Sequence, residues 1–148
     1  MATGDKYKKR GRSERIENVR DERQSIDNEE PKLVFNFKDF DATQKVGQSF
    51  ENWQEDETLA VLLERFRQLS QKTLLEAQAD ETVKIYGKFP RNSDFVYPKY
   101  IAPDVQWAVI TKITGQKTRV VGYVIDNVFY VVFLDKNHKF WPTKKKRT

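Results

Sequence analysis

The sequence predicts an α+β domain: a small, mostly antiparallel sheet in the order β-α-α-β-β-β, packed by two helices, behind a disordered N-terminal extension. Three stretches predict it. Residues 105–141, VQWAVITKITGQKTRVVGYVIDNVFYVVFLDKNHKFW, read as three successive strands, because 118–134 are almost all β-branched, aromatic or aliphatic. Within that run, Thr114-Gly115-Gln116-Lys117 supplies a glycine-bearing turn, and Asp126-Asn127 a two-residue hairpin turn in which positive φ is tolerated. Upstream, Leu59, Leu62, Leu63, Phe66 and Leu69 fall at helical spacing and form one apolar stripe. A three-stranded sheet with an apolar face needs a cover, and this stripe supplies it. Finally, Leu33, Phe35 and Phe37 alternate with Val34, Asn36 and Lys38, which predicts a first strand over 32–40.

Taken in order, residues 1–30 have little apolar content beyond Ile16, Val19 and Ile26. Their first half is basic through Lys6, Lys8, Lys9, Arg10, Arg12 and Arg15, and their second half acidic through Glu17, Asp21, Glu22, Asp27, Glu29 and Glu30. Such a segment buries too little surface to offset its ordering entropy, so disorder is expected, with helix over 13–24 on binding. Pro31 opens a single domain over 31–148, which ends in a basic tail of Lys144, Lys145, Lys146 and Arg147. Residues 41–49, with Gly47, form a loop. Phe50 and Trp53 extend or cap the helical face, and Glu55 or Asp56 near the helix start suits its dipole. Thr73 and Glu76 are spaced as a capping box for a second, short helix. Val83, Ile85 and Tyr86 can form a short strand, after which Pro90, Pro98 and Pro103 interrupt regular structure. With Phe89, Phe95, Tyr97 and Tyr100, residues 82–103 make a long aromatic loop, a feature that is usually functional or mobile.

Composition narrows the chemistry. The 148 residues fit one domain, and 33% of them are charged. Cysteine is absent, so there is no disulfide framework, thiolate nucleophile or cysteine zinc site, and a lone histidine rules out a multi-histidine metal centre. Neither a metal nor another cofactor is expected. No apolar run approaches the length of a bilayer and no signal-peptide pattern opens the chain, so a cytoplasmic protein with no membrane partner is expected. The net charge of +5 is concentrated in the two terminal basic runs. Cations placed on phosphates release condensed counterions, so these runs favour a polyanion partner; they also read as solubilising tails.

The stretch TRVVGYVIDNVFYVVFLDKNHKFW, together with the order strand, helix, helix, three strands, resembles the RelE/ParE toxin superfamily, and within it the RelE/YoeB-like endoribonucleases. The resemblance covers residues 33–141. In that family an arginine opens a strand with an aromatic four residues on, a short turn follows, and a final strand leads to histidine and aromatic residues. The matching positions are Arg119, Tyr123, Asp126-Asn127, His138, and Phe140 or Trp141. Three features depart from the pattern: the extension over 1–30, the long loop over 82–103, and a terminal aromatic that is not tyrosine. No phenolic role is therefore carried over.

The resemblance implies metal-independent cleavage of RNA with the 2′-hydroxyl as nucleophile, which needs an acid, a base and a cation at the phosphate. His138, the one side chain whose ordinary pKa is near neutral, would be the acid or base; otherwise it is a polar surface residue. Arg119 would clamp the scissile phosphate with its forked guanidinium, or face solvent or a carboxylate. Lys139 beside His138 completes the expected catalytic set. Lys112, Lys117, Lys136 and Lys139 would track the RNA backbone, or discourage edge pairing as solvated lysines. Trp141, Tyr130 and Phe140 would stack a base, or belong to the core. Asp135 orients His138 or merely ends a strand, while Arg65 lies on the outward helical face. The implied partners are RNA, free or on the ribosome, and an antitoxin protein. Two other classes stay open: a non-catalytic nucleic-acid or ribosome-binding module, and a mobile-element interaction factor that docks through residues 89–100. His138 and Arg119 on one open surface would favour the enzyme; opposite faces would favour the binder.

Overall fold

A five-stranded mixed sheet of order β1-β5-β4-β3-β2 forms the centre of residues 30–142, the part of the chain that this computed structural model describes. The disorder expected over 1–30 lies outside the described residues except at Glu30, as does the basic tail Lys144 to Arg147. The elements are β1 (Val34–Asn36), α1 (Phe50–Glu55), α2 (Leu59–Leu69), α3 (Leu74–Ala79), β2 (Val83–Gly87), β3 (Gln106–Ile110), β4 (Arg119–Ile125) and β5 (Val128–Asp135). β1 runs parallel to β5, and all other neighbours are antiparallel. The α+β class and mostly antiparallel sheet match the expectation, with one helix and one strand more than the expected order.

Local chemistry accounts for both additions. Ser49 and Asn52 form a reciprocal capping box that starts α1 as a helix of its own. Glu57, at φ 61°, takes a left-handed conformation that breaks the chain before α2. Asp56 therefore caps the C-terminal end of α1 rather than the start of a helix. The capping box of Thr73 and Glu76 opens α3 as expected. Val83 to Gly87 pairs with β3 as an edge strand.

The sheet is covered on both sides. Leu62, Phe66 and Leu69 of α2, with Trp53 and Ala77, pack on Val83, Ala108, Ile110, Val120, Phe129, Val131 and Leu134. Leu63 was expected in that stripe but is 57% exposed, because it projects beside the line of Leu62, Phe66 and Leu69 rather than along it. The opposite face carries an aromatic cluster in which Phe89, Phe95 and Tyr97 of the long loop meet Trp107, Val121, Tyr123, Phe133 and Phe140. Burial on both faces explains why β4 and β5 read as almost continuous apolar runs. The long loop is thus a second lid of the core. Gln44 pins it by donating to Val96 O and accepting from Val96 N, both at 2.7 Å.

β5 lies inside the sheet, between β1 and β4. Beyond β1, Asp41 and Gln48 continue along it by donating to the carbonyls of Val132 and Leu134. The β4–β5 register slips between Val121 and Gly122, and a Cβ at Gly122 would stand 1.9 Å from the Tyr130 carbonyl oxygen. Glycine is required there. No helix among the described residues is long and apolar enough to cross a membrane.

Candidate nucleic-acid interface

The turn after β5 is built around Asp135. Its carboxylate is fully buried and accepts the backbone N–H of Lys139 at 2.9 Å and of Phe140 at 2.8 Å. Burial pushes the Asp135 carboxyl above its ordinary range, against the opposing pull of these amides, the Asn137 amide and the His138 imidazole. Phe140 is driven into the aromatic cluster, and the Lys139 carbonyl accepts from Asp94 N at 3.0 Å. Between these anchors His138 is held at φ 61°, half-buried, at the tip of a fixed turn. Asp135 therefore positions the histidine through the main chain, with no side-chain hydrogen bond between the two.

Opposite this turn stands the β3–β4 connection. Gly115 has φ 59°, and Thr114 Oγ1 donates to Thr118 Oγ1 at 3.0 Å to close the loop. Lys112, at φ 59°, has its carbonyl held by the Arg65 guanidinium, while its ammonium donates to the Asp80 carbonyl. Arg65 is thus a structural tie from α2 to this loop, beyond the outward helical placement expected of it. Arg119 opens β4 opposite Asp135 in register, with its Nη1 donating to the Thr118 carbonyl at 3.1 Å.

Between the two turns lies a groove with a volume of about 860 Å³, within the range of roughly 300–1,000 Å³ usual for binding sites. Arg119, His138, Lys139, Lys112 and Lys117 all line it. Lys84 and Thr111 on one side and Asn137 on the other complete its polar lining. Lys84, Lys112, Lys117, Arg119 and Lys139 give five cations against the single carboxylate of Glu81. Among the described residues, Lys84, Lys117, Arg119 and Lys139 have no carboxylate at ion-pair distance. Like charges gathered around a concave surface raise the local potential for an anion.

Backbone strain gathers in the same place. Four of the seven described residues with positive φ, namely Glu81, Lys112, Gly115 and His138, line the groove. Three of them are not glycine, and such positions persist only where the surrounding structure over-determines them.

Two expected site residues lie elsewhere. The Lys136 ammonium pairs with the Asp56 carboxylate at the end of α1, and its N–H donates to Gln48 Oε1 at 2.7 Å. The turn at Asn137 and His138 sends consecutive side chains in different directions, so Lys136 and Lys139 part company. Tyr130 stacks on Tyr123 at 4.6 Å, four residues along β4 from Arg119, and Lys38 Nζ lies 5.5 Å above its ring. Trp141 stands next to the groove, adjacent to the lining residue Pro142, and stacks on Tyr86 at 4.5 Å. Sequence reasoning missed Lys84 and Tyr86. The alternation of Val83 and Ile85 with Lys84 was the available signal for Lys84, since an edge strand there puts it on the side away from the helices; Tyr86 sits at a register shift between Ile85 and Gly87 that alternation does not mark.

Comparison of the chain with family models, with curated proteins and with solved structures finds no match in any of the three.

Proposed function

We propose that the protein is a toxin-like, metal-independent RNA endonuclease of the RelE/YoeB kind, acting in the cytoplasm and held in check by an antitoxin partner. One observation carries this reading: Arg119, His138 and Lys139 share one groove with Lys84, Lys112 and Lys117. A phosphodiester backbone laid in that groove meets cations on both walls. Arg119 holds the non-bridging phosphate oxygens and offsets the charge that grows on them as the reaction proceeds. His138 takes the proton from the 2′-hydroxyl, whose oxygen forms the new bond to phosphorus. The bond to the 5′-oxygen breaks, and the Lys139 ammonium supplies the proton that this oxygen needs. The products are a 2′,3′-cyclic phosphate and a 5′-hydroxyl end.

A second reading, binding without cleavage, is favoured by the commitment of Asp135, the carboxylate around which the His138 turn is built, to backbone amides rather than to the imidazole. Incubating the purified protein with naked RNA and with RNA under translation, beside His138→Ala and Arg119→Ala, separates the two. Cleavage lost in both variants supports the nuclease. Cleavage undiminished in both removes the site assignment, and salt-sensitive binding with no cleavage at all leaves the binding module.

A further inference from the structure

Tyr86 and Trp141 form an exposed aromatic step at the edge of the groove. Their rings are 4.5 Å apart with an interplanar angle of 23°, and they remain 36% and 40% exposed. Tyr86 reaches this position because β2 is bulged. Ile85 pairs with Ala108 and Gly87 with Trp107, which leaves Tyr86 as the extra residue without a cross-strand partner. A bulge on an edge strand re-aims one side chain at the expense of a ladder position. Gly87, at φ 86°, lets the strand resume after it. On the other side, Phe140 is buried in the core, so Trp141, the next residue, is carried out over the edge strand. Both rings are tied to the groove by the chain: Lys84 lies two residues before Tyr86, and Pro142 follows Trp141.

We infer that the Tyr86–Trp141 step is a nucleobase-stacking site that selects single-stranded over duplex nucleic acid. This rests on the reading that the adjacent groove takes a phosphodiester backbone. An unpaired base next to a phosphate held among Lys84, Lys139 and Arg119 then stacks on the exposed ring of Trp141. Every base has a π-face, so such a step reads strandedness and not sequence. In a duplex the bases are already stacked on one another and their faces are unavailable to the protein.

The protein carries its own reporter. Trp53 and Trp107 are 0% and 1% exposed, so Trp141 is the tryptophan that a ligand reaches. The test titrates the full chain with a short single-stranded 2′-O-methyl oligoribonucleotide, which lacks the nucleophile and so reports binding independently of cleavage. Parallel titrations use the same strand annealed to its complement, and an abasic strand of equal length. The single strand is expected to quench tryptophan emission and to bind roughly 5- to 150-fold more tightly than the abasic strand. Trp141→Phe loses the quench and keeps more affinity than Trp141→Ala; Trp141→Ala and Tyr86→Ala lose affinity by a similar factor with the salt slope unchanged. Equal affinity for single strand, duplex and abasic strand, with no quench, overturns the stacking site and leaves the basic groove intact. No salt-sensitive binding of any of the three overturns the groove reading as well.

Discussion

The Asp135 carboxylate receives the N–H of Lys139 at 2.9 Å, and this bond fixes where the lone histidine of the chain stands. A buried anion that caps a turn leaves its amides without partners when it is removed. Asp135→Ala is expected to cost about 2–5 kcal/mol, from two charge-assisted bonds and the desolvated N–H groups left behind. Denaturant unfolding reads that cost, and any RNA cleavage should fall with it even where the variant remains folded. A variant with full activity and unchanged midpoint would show that the turn holds its shape by other means.

His138 sits at φ 61°, which a glycine tolerates and a side chain resists. His138→Gly should be more stable than His138→Ala by about 1 kcal/mol. If His138 takes the 2′-hydroxyl proton, both variants should lose cleavage by roughly 10²- to 10⁴-fold. Both should still bind the 2′-O-methyl strand. Equal stability of the two would mean that the turn relaxes when the imidazole is gone.

The free cations of the groove predict a salt dependence that can be counted. Removing Lys84 or Lys117 one at a time should flatten the slope of log affinity against log salt by about 0.7 for a single strand. Lys136→Ala should leave that slope alone, because Lys136 is engaged with Asp56. A slope change at Lys136 equal to that at Lys84 would redraw the interface.

Gly122 tests the fold without touching the groove. Its missing Cβ would lie 1.9 Å from a main-chain oxygen of β5, which no rotamer change relieves. Gly122→Ala is expected to destabilise by about 3 kcal/mol or more. Thermal unfolding measures it, and a loss below about 1 kcal/mol would mean that the bulge in β5 adapts.

Two carboxylates give opposite pH signatures. Partial burial pushes the Asp80 carboxyl up, but the Lys72 ammonium and Thr82 outweigh it and hold it at about 2, from an ordinary 3.8. A folded-state value below the unfolded one stabilises above pH 3.8, and that contribution disappears as the pH falls towards 2. Asp135 is shifted the other way by burial, so the folded state binds its proton more tightly and stability falls as the pH rises through its raised value. Asp80→Asn should therefore flatten the acid limb of the stability curve, and Asp135→Asn should remove a decline on the less acidic side. Unchanged curves in both variants would sink the assignment.

Much of the fold was legible because its signals are local. The capping box of Thr73 and Glu76, the turns at Gly115 and Asp126, and the β-branched runs of β4 and β5 each act within a few residues. The extra helix was hidden because Glu57, a residue with no special turn preference, takes the positive φ that ends α1, with Thr58 N–H donating back to the Trp53 carbonyl at 2.8 Å. Leu63 was misplaced because periodicity gives a face and not the width of what covers it.

By itself the sequence determined which side chains are present to act: one imidazole, no thiol, an arginine at the start of a strand, and lysines around both turns. Which of them meet was decided by the tertiary structure. Strand pairing set Arg119 opposite Asp135, the buried carboxylate folded the last turn back over the sheet, and the bulge in β2 sent Tyr86 out to Trp141. The strand pairing and the meeting of Tyr86 with Trp141 depend on contacts between residues well separated in sequence, and the turn depends on a carboxylate becoming buried; a periodicity read along the chain carries no term for either.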